Sequence, residues 1–176
     1  MLSITLTRPC LKDLDELLAF ETDNRAFFEA RINSRPASYY SRDGVAAAID
    51  IAQRDALADL AHQFLIRDEL GRIVGRVNLT QLRRKHFHSA SLGYRIGEAY
   101  NGRGIAKAAV GQMLGLAFGE LKLLRLEAHA RPENLGSVRV LESNGFKQFG
   151  RATRSFELGG QWFDQLFFEA HAPLET

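Results

Sequence analysis

The chain has 176 residues, of which 45% are apolar and 25% charged, and its formal net charge is only +2. These numbers predict one globular domain over residues 1–176 and give no strong electrostatic case for a nucleic-acid or membrane-surface partner. No stretch approaches the roughly 20 apolar residues that span a bilayer, and the N-terminal segment lacks a long apolar signal region. We therefore expect a soluble, cytoplasmic protein, and the lone Cys10, which cannot form an internal disulfide, fits a reducing compartment.

The first half of the chain predicts a strand followed by two helices. Residues 3–7 alternate apolar and polar side chains as a strand does, and leucines at helical spacing follow from Leu11. Residues 24–41 are aromatic and basic with a proline break, which indicates a loop or a short helix near a cleft. Ser41 or Asp43 can cap the second helix. Four aromatic side chains either line an acceptor cleft or pack in the core: Phe27, Phe28, Tyr39 and Tyr40.

The second half has the pattern of six more strands and two helices. An apolar period of two predicts strands in residues 63–82 (two strands joined by a turn), 89–96 and 123–130, and on both sides of Gly159-Gly160. Helical stripes lie between them, from Ala106 to Ala117 and from Pro132 to Gly145. The order predicts an α/β (α+β) domain with a mixed, mainly antiparallel twisted sheet of about seven strands and about four helices.

The segment "YNGRGIA", residues 100–106, has the features of a phosphate-binding loop. Two glycines lie between a predicted strand and a predicted helix, where bare backbone N–H groups and the helix dipole attract anions. A Walker loop would need Lys and Ser or Thr after its last glycine, and a dinucleotide fingerprint would need a small residue where Lys107 stands. The remaining alternatives are another phosphate ligand and a simple tight turn.

Two further stretches make a family resemblance plain. The loop "NGRGIA" resembles the pyrophosphate loop of the GNAT acetyltransferases, although Asn101 stands where that family usually has Gln or Arg. The predicted order of elements is also that family's order over nearly the whole chain. Within the family, "ARPENLGSVRVLESNGF" and "GGQWFDQLFF" are most similar to the branch that contains RimJ and RimL, the N-terminal acetyltransferases of ribosomal proteins. The resemblance implies a GNAT fold and acetyl-CoA as cosubstrate.

The resemblance also implies a donor site. The family's pyrophosphate contacts fall on six loop residues: Asn101, Gly102, Arg103, Gly104, Ile105 and Ala106. Backbone groups at the end of the preceding strand would pair with the pantetheine arm and polarise the thioester carbonyl, at Tyr94, Arg95 and Ile96. In the RimJ/RimL branch the residue matching Asn134 contacts the cofactor, and the residue matching Ser137 lies near its sulfur. Ser137 is our candidate to protonate or hydrogen-bond the leaving thiolate, and Asn134 has helix capping as a further role.

The catalytic base is a separate question. In residues 123–130 a strand period places Arg125, Glu127 and His129 on one face, and Glu127 matches the catalytic glutamate of RimI-type enzymes. Leu141 replaces the tyrosine that those enzymes use as acid, and Phe156 stands where RimL has a glutamate. Two readings of Glu127 therefore remain: a base that acts through water, or an ion-pair partner of Arg125 or His129.

The strength of the available base bears on which amine is the acceptor. Deprotonating an α-amine, with a pKa of about 7.7 to 8, costs about 1 kcal/mol at neutral pH, whereas a lysine near 10.4 costs roughly 4 to 5 kcal/mol. A site with a modest base fits an α-amine better, so we expect direct acetyl transfer to a protein N-terminus, such as that of a ribosomal protein. The alternatives are acetylation of a small amine (polyamine, amino acid or antibiotic) and a non-catalytic acyl-CoA-binding module.

The remaining polar motifs give weaker indications of function. His86 and His88 have no third ligand spaced with them, so we expect a solvated loop and no metal site. Residues 83–85 are basic, and the sequence leaves open whether this loop contacts RNA, the substrate or only solvent; a specific nucleic-acid partner is not expected. It also leaves open whether the protein forms a homodimer.

Overall fold

The structure is a computed structural model of the chain, and it describes residues 3–173. Within these residues the chain forms one sheet of seven strands, in the spatial order β1-β2-β3-β4-β5-β7-β6. The strands are β1 (Thr5–Thr7), β2 (His62–Arg67), β3 (Ile73–Arg83), β4 (Ser89–Ile96), β5 (Arg125–Ala130), β6 (Lys147–Leu158) and β7 (Gln161–His171). Neighbouring strands are antiparallel except β4 and β5, which are parallel. The predicted mixed, mainly antiparallel sheet is confirmed.

Five α-helices occur in the described part of the chain: α1 (Leu14–Asp23), α2 (Arg25–Glu29), α3 (Arg42–Leu57), α4 (Ile105–Gly115) and α5 (Leu135–Ser143). The sequence predicted about four, and the additional one is the short α2 in the aromatic segment. Asn24 separates α1 from α2 because its side chain donates to the Phe20 carbonyl at 2.9 Å. Ser41 caps α3 as predicted, accepting from Gly44 N at 3.0 Å. None of these described helices is long and apolar enough to cross a membrane.

Helices cover both faces of the sheet. On one face, which we call the α4 face, apolar strand residues such as Leu79, Leu92 and Leu126 pack with Val110 and Met113 of α4 in the larger core. The opposite face is the α1 face. There α1, α2 and α3 form a second buried cluster with β2 and β3, through Leu17, Phe20, Phe28, Val45, Ile49, Leu65 and Ile73. Because strand side chains alternate between faces, β2 and β3 contribute buried residues to both layers.

The strands β4 and β5 separate in the middle of the sheet. In the described structure their pairing covers three residues of each strand, Ser89–Ser91 against Arg125–Glu127. β4 then continues to Ile96 on its other neighbour, β3, while β5 stays paired with β7 up to Ala130. The second half of β4 therefore has a free edge toward β5. That edge faces a gap in the sheet, and α4 begins just beyond it.

Candidate active site

The predicted phosphate loop connects β4 to α4. Gly102 and Gly104 have φ angles of +74° and +80°, in the left-handed region that side-chain-bearing residues disfavour. An added Cβ at either glycine would meet no described atom within 4 Å, so the backbone conformation and not crowding favours glycine there. Gly104 is the N-cap of α4, and no side chain in residues 3–173 caps that helix. The first N–H groups of α4 are therefore available to an anion.

Asn101, the departure from the family pattern, stabilises the turn before the loop. Its Nδ2 lies 3.1 Å from the Gly97 carbonyl and 3.4 Å from the carbonyls of Ile96 and Glu98. The amide group thus holds the chain that leaves β4. A longer Gln or Arg side chain at this position would place its polar group farther from the backbone. Asn101 therefore stabilises the backbone before the loop instead of extending a hydrogen-bond donor toward a ligand.

A cavity of about 540 Å³, which we call the donor cavity, opens beside this loop. It is lined by the loop, the end of β4, the start of α5 and the α2 segment. Nine of the ten predicted cofactor-binding residues line it: Tyr94, Arg95, Ile96, Asn101, Gly102, Gly104, Ile105, Ala106 and Asn134. Arg103 is the exception, and its guanidinium lies 5.7 Å from the ring centre of Tyr100. The structure therefore gathers residues that lie up to 40 positions apart in the sequence, from Tyr94 to Asn134.

Ser137, the predicted acid, also lines the donor cavity, and Tyr94 contacts it directly. The two hydroxyl oxygens lie 2.8 Å apart, and Tyr94 Oη lies 3.3 Å from the Ser137 carbonyl. Asn134 Oδ1 accepts from Ser137 N at 3.1 Å, so Asn134 has the capping role considered from the sequence. Burial raises the pKa of the Tyr94 hydroxyl above its usual value of 10, while the bond to Ser137 partly opposes that rise. The Tyr94 hydroxyl therefore stays protonated at neutral pH, and either hydroxyl of the pair can donate to the other.

A smaller cavity of about 240 Å³ lies at the gap between β4 and β5. Gly93, Tyr94 and Ser137 line both cavities, so their common wall is the place where two ligands can meet. His129 and Ser91 also line the smaller cavity, from β5 and β4 respectively.

Glu127, the predicted base, lies outside the lining of both cavities. Arg125 donates to its carboxylate and also to Glu169, 2.9 Å from Arg125 Nε. Arg83 approaches Glu127 at 4.0 Å. The ion pair with Arg125, one of the two readings from the sequence, is thus present. Water would have to connect Glu127 to the site, and His129, two residues along the same strand, is the member of this polar row that lines the smaller cavity.

The α2 segment closes the other end of the donor cavity with aromatic and basic groups. Phe27, Phe28 and Arg31 line it there, together with Asn78 of β3. Phe28 also belongs to the second core, so for this side chain both alternatives from the sequence hold. None of the described residues that line either cavity is Asp or Glu. This end of the site is therefore uncharged or positive.

Sequence reasoning missed two parts of this site. The Tyr94–Ser137 contact joins residues 43 positions apart, although a tyrosine in the apolar row of Leu92 and Ile96 was a signal for a buried hydroxyl with a partner. The inward-facing Asn78 carried no sequence signal. His86 and His88 remain apart from the site, and no group of three or more His, Cys, Asp or Glu in residues 3–173 is arranged to hold a metal ion.

A model of the GNAT acetyltransferase domain matches residues 3–147. The chain belongs to the GNAT acetyltransferase family. It is an N-acetyltransferase of the GNAT type, and the resemblance seen in the sequence is confirmed. The probable N-acetyltransferase YjcK of Bacillus subtilis is 37% identical over 153 residues, which are 86% of this chain and 84% of that protein. The ribosomal protein uS5-alanine N-acetyltransferase of Escherichia coli is 25% identical over 163 residues, covering 92% of this chain and 84% of the relative.

Solved structures share the fold of this GNAT enzyme. Mycobacterium smegmatis RimJ in complex with CoA-disulfide superposes with a TM-score of 0.88 at 24% identity, covering 96% of this chain and 82% of RimJ. Spermidine N-acetyltransferase from Vibrio cholerae in complex with CoA and spermine has a TM-score of 0.80 at 22% identity, covering 96% and 95%. The fold thus hosts acceptors as different as a ribosomal protein, in the uS5 enzyme, and a polyamine.

Proposed function

We propose that this enzyme transfers the acetyl group of acetyl-CoA directly to the α-amine of a protein N-terminus, with ribosomal proteins as the first candidates. The observation that carries the proposal is the hydroxyl pair of Tyr94 and Ser137 in the wall common to both cavities. It lies where a thioester entering along β4 would meet an amine that enters from the α2 end of the donor cavity. No covalent enzyme intermediate is needed, because both substrates reach this wall.

The residues around the donor cavity suit acetyl-CoA. The loop from Asn101 to Ala106 offers backbone N–H groups at the start of α4 to the pyrophosphate, and Lys107 adds a positive charge at the cavity wall. The free edge of β4 offers the backbone of Tyr94, Arg95 and Ile96 to the pantetheine arm, as a strand edge does to an added strand. We propose Asn134 as a further contact beside its capping role.

Ser137 is proposed to stabilise the departing thiolate. Its hydroxyl donates to the sulfur while Tyr94 donates to Ser137 Oγ, which polarises the serine O–H toward the negative charge. The α-amine must reach the thioester as a neutral base, so its proton has to leave. We propose that water carries that proton from the amine along the polar row of His129 to Glu127.

A polyamine acceptor is the competing assignment, and the lining of the donor cavity argues against it. Arg31 and Arg95 line the end of the donor cavity beside α2, which we take as the acceptor end, and none of the described residues lining either cavity carries a carboxylate. Spermine and spermidine are polycations, so a site that binds them is expected to provide negative charge. The site's positive charge therefore favours a neutral or anionic acceptor.

The test is release of free CoA thiol from acetyl-CoA with matched acceptors. One peptide has a free N-terminus and no lysine, a second is blocked at its N-terminus and contains one lysine, and the third acceptor is spermidine. We expect turnover with the first peptide at a kcat/KM at least about tenfold above either alternative. Faster turnover with spermidine or with the lysine peptide would contradict the proposal. Ser137→Ala is the control that links the measured rate to this site.

A further inference from the structure

Three arginines surround one buried carboxylate beneath the acceptor end of the donor cavity. Glu21 is fully buried, and Arg76 Nη1 donates to its Oε1 at 2.5 Å. Arg35 and Arg95 approach the same carboxylate at 3.7 and 3.6 Å. Burial by itself would raise the pKa of Glu21, but Arg76, Arg35 and Arg95 together hold it below its usual value. One negative charge therefore faces three positive charges.

Arg95 is the member of this cluster whose donors remain free toward the donor cavity. Arg76 also donates to Tyr39 at 3.0 Å and to Gln63 at 2.7 Å. The Arg95 guanidinium makes no hydrogen bond to any residue that the structure describes, keeps 22% of its side chain exposed and lines the cavity. Burial, and then the neighbouring Arg35, lower the pKa of Arg95 to about 10. An anion in the cavity would relieve this unfavourable environment.

Asn78 supplies a second polar group on the same side of the site. Its Oδ1 is buried, has no hydrogen-bond partner among the described residues, and belongs to a residue that lines the donor cavity. Asn78 lies opposite Gly93 in the sheet, and Gly93 precedes Arg95 by two residues on the same face. Two residues of a strand span about 7 Å. In this register Asn78 and Arg95 lie two residues apart along the strands and on neighbouring strands, which separates their Cα atoms by roughly 8 Å.

We propose, on the basis of the proposed transfer to protein N-termini, that Arg95 binds an acidic side chain at the second residue of the acceptor peptide while Asn78 Oδ1 accepts from its α-amine. A backbone separation of this size leaves room between Asn78 and Arg95 for an α-amine and the side-chain carboxylate of the next residue in an extended peptide. It exceeds the spacing between the α-amine and the α-carboxylate of a free amino acid, which share one carbon. Arg31, which lies over the Phe27 ring at 3.8 Å, adds positive charge to the same wall.

Three peptides that differ only at the second residue test the proposal. Their N-terminal residue is the same, and the second residue is Glu, Gln or Lys. We expect kcat/KM for the Glu peptide to exceed that for the Gln peptide about tenfold, and the Lys peptide to be the slowest. Free glutamate is expected to be a poorer acceptor than the Gln peptide. Equal values for the Glu and Gln peptides, or faster acetylation of free glutamate, would overturn the proposal.

Variants then assign the preference to Arg95. Arg95→Gln is expected to bring the ratio of Glu to Gln peptide toward one, whatever its overall rate, and Arg95→Lys to keep part of the preference. Arg54→Gln is the matched control, because Arg54 is 68% exposed and pairs with Asp50 within α3. An unchanged ratio in Arg95→Gln would exclude Arg95 as the anion-binding residue.

Competition separates this proposal from the proposed function. The N-acetylated Glu and Gln peptides are tested as inhibitors of whichever amine the enzyme acetylates. If peptides are not acetylated but the acetylated Glu peptide still inhibits about tenfold more tightly than the Gln peptide, the transfer to N-termini is wrong and the anion subsite stands. Equal inhibition by the two peptides refutes the subsite regardless of the acceptor.

Discussion

The Tyr94 hydroxyl lies 2.8 Å from Ser137 Oγ and so joins the second half of β4 to the first turn of α5. Asn134 fixes the same serine from its backbone side, since Asn134 Oδ1 accepts from Ser137 N at 3.1 Å. Ser137 is therefore held by its backbone and its side chain at the wall common to the two cavities. A hydroxyl fixed in this way can donate to a developing thiolate without first losing rotational freedom.

Removing these hydroxyls is expected to slow the chemical step. Ser137→Ala should lower kcat about 100-fold with little change in KM for acetyl-CoA, and Tyr94→Phe about tenfold, because the serine contacts the thiolate and the tyrosine acts through the serine. Steady-state CoA release measures both. The double variant is expected to be no slower than Ser137→Ala alone. Fully additive losses would show that Tyr94 acts independently of Ser137.

The loop glycine at the start of α4 is expected to control affinity for the donor. Gly104→Ala forces a side chain into a φ of +80°, at a cost of about 1 kcal/mol or more, and should raise KM for acetyl-CoA about tenfold with a smaller effect on kcat. Gly115→Ala is the matched control, because Gly115 is helical with a φ of −57° and an added Cβ meets no described atom within 4 Å. That control should be neutral or stabilising. Equal KM values for the two variants would refute a loop role in donor binding.

Glu127→Gln distinguishes the base from the ion-pair reading. As a base that acts through water, Glu127 is expected to support the rate near pH 7, so the variant should be about tenfold slower there. The loss should shrink above pH 8, because the α-amine, with a pKa of about 7.7 to 8, then deprotonates by itself. Glu169→Gln is the control, since Glu169 shares Arg125 with Glu127. If both variants retain the parent's pH–rate profile, Glu127 has only the ion-pair role.

Asp59 gives a pH-dependent contribution to stability away from the site. Hydrogen bonds from Arg84 lower the pKa of Asp59 from 3.8 to about 2, with His62 helping. A lowered carboxyl pKa stabilises the fold above the unfolded value of about 3.8, and that contribution disappears as pH falls through about 2. Since the side chain is 39% exposed, Asp59→Asn should cost about 1 kcal/mol at pH 7 and only a small fraction of that at pH 2, by urea unfolding. Asp50→Asn, in an exposed pair with Arg54, should change stability less at pH 7; an equal or larger loss there would contradict this account.

The fold was predictable because apolar residues recur in its strands and longer helices with clear strand or helix periodicity. β3 and β4 alternate between faces, and the stripe of α4 buries Ala109, Val110 and Met113 in one core. The segment containing α2 was harder, because its five residues are too short for a helical period to develop. Its helix depends on packing, with Phe28 in the second core. Local helix propensity alone does not determine whether so short a segment is helical.

The candidate site was predictable where backbone conformation controls it and unpredictable where distant side chains meet. Gly102 and Gly104 indicated the loop because a positive φ favours glycine. The partner of Tyr94 and the inward position of Asn78 depend on how α5 and β3 lie around β4. No period or spacing within one element carries that information.

The sequence by itself determined the family, the order of the seven strands and of the longer helices, and the position of the candidate anion-binding loop, because each of these depends on short-range patterns of apolar, glycine and capping residues. Only the tertiary structure decided where β4 leaves β5, that Ser137 pairs with Tyr94, and that Asn78 and Arg95 line the same cavity. The physical reason is that these contacts join segments far apart in the chain. Their geometry exists only once both cores have packed against the sheet.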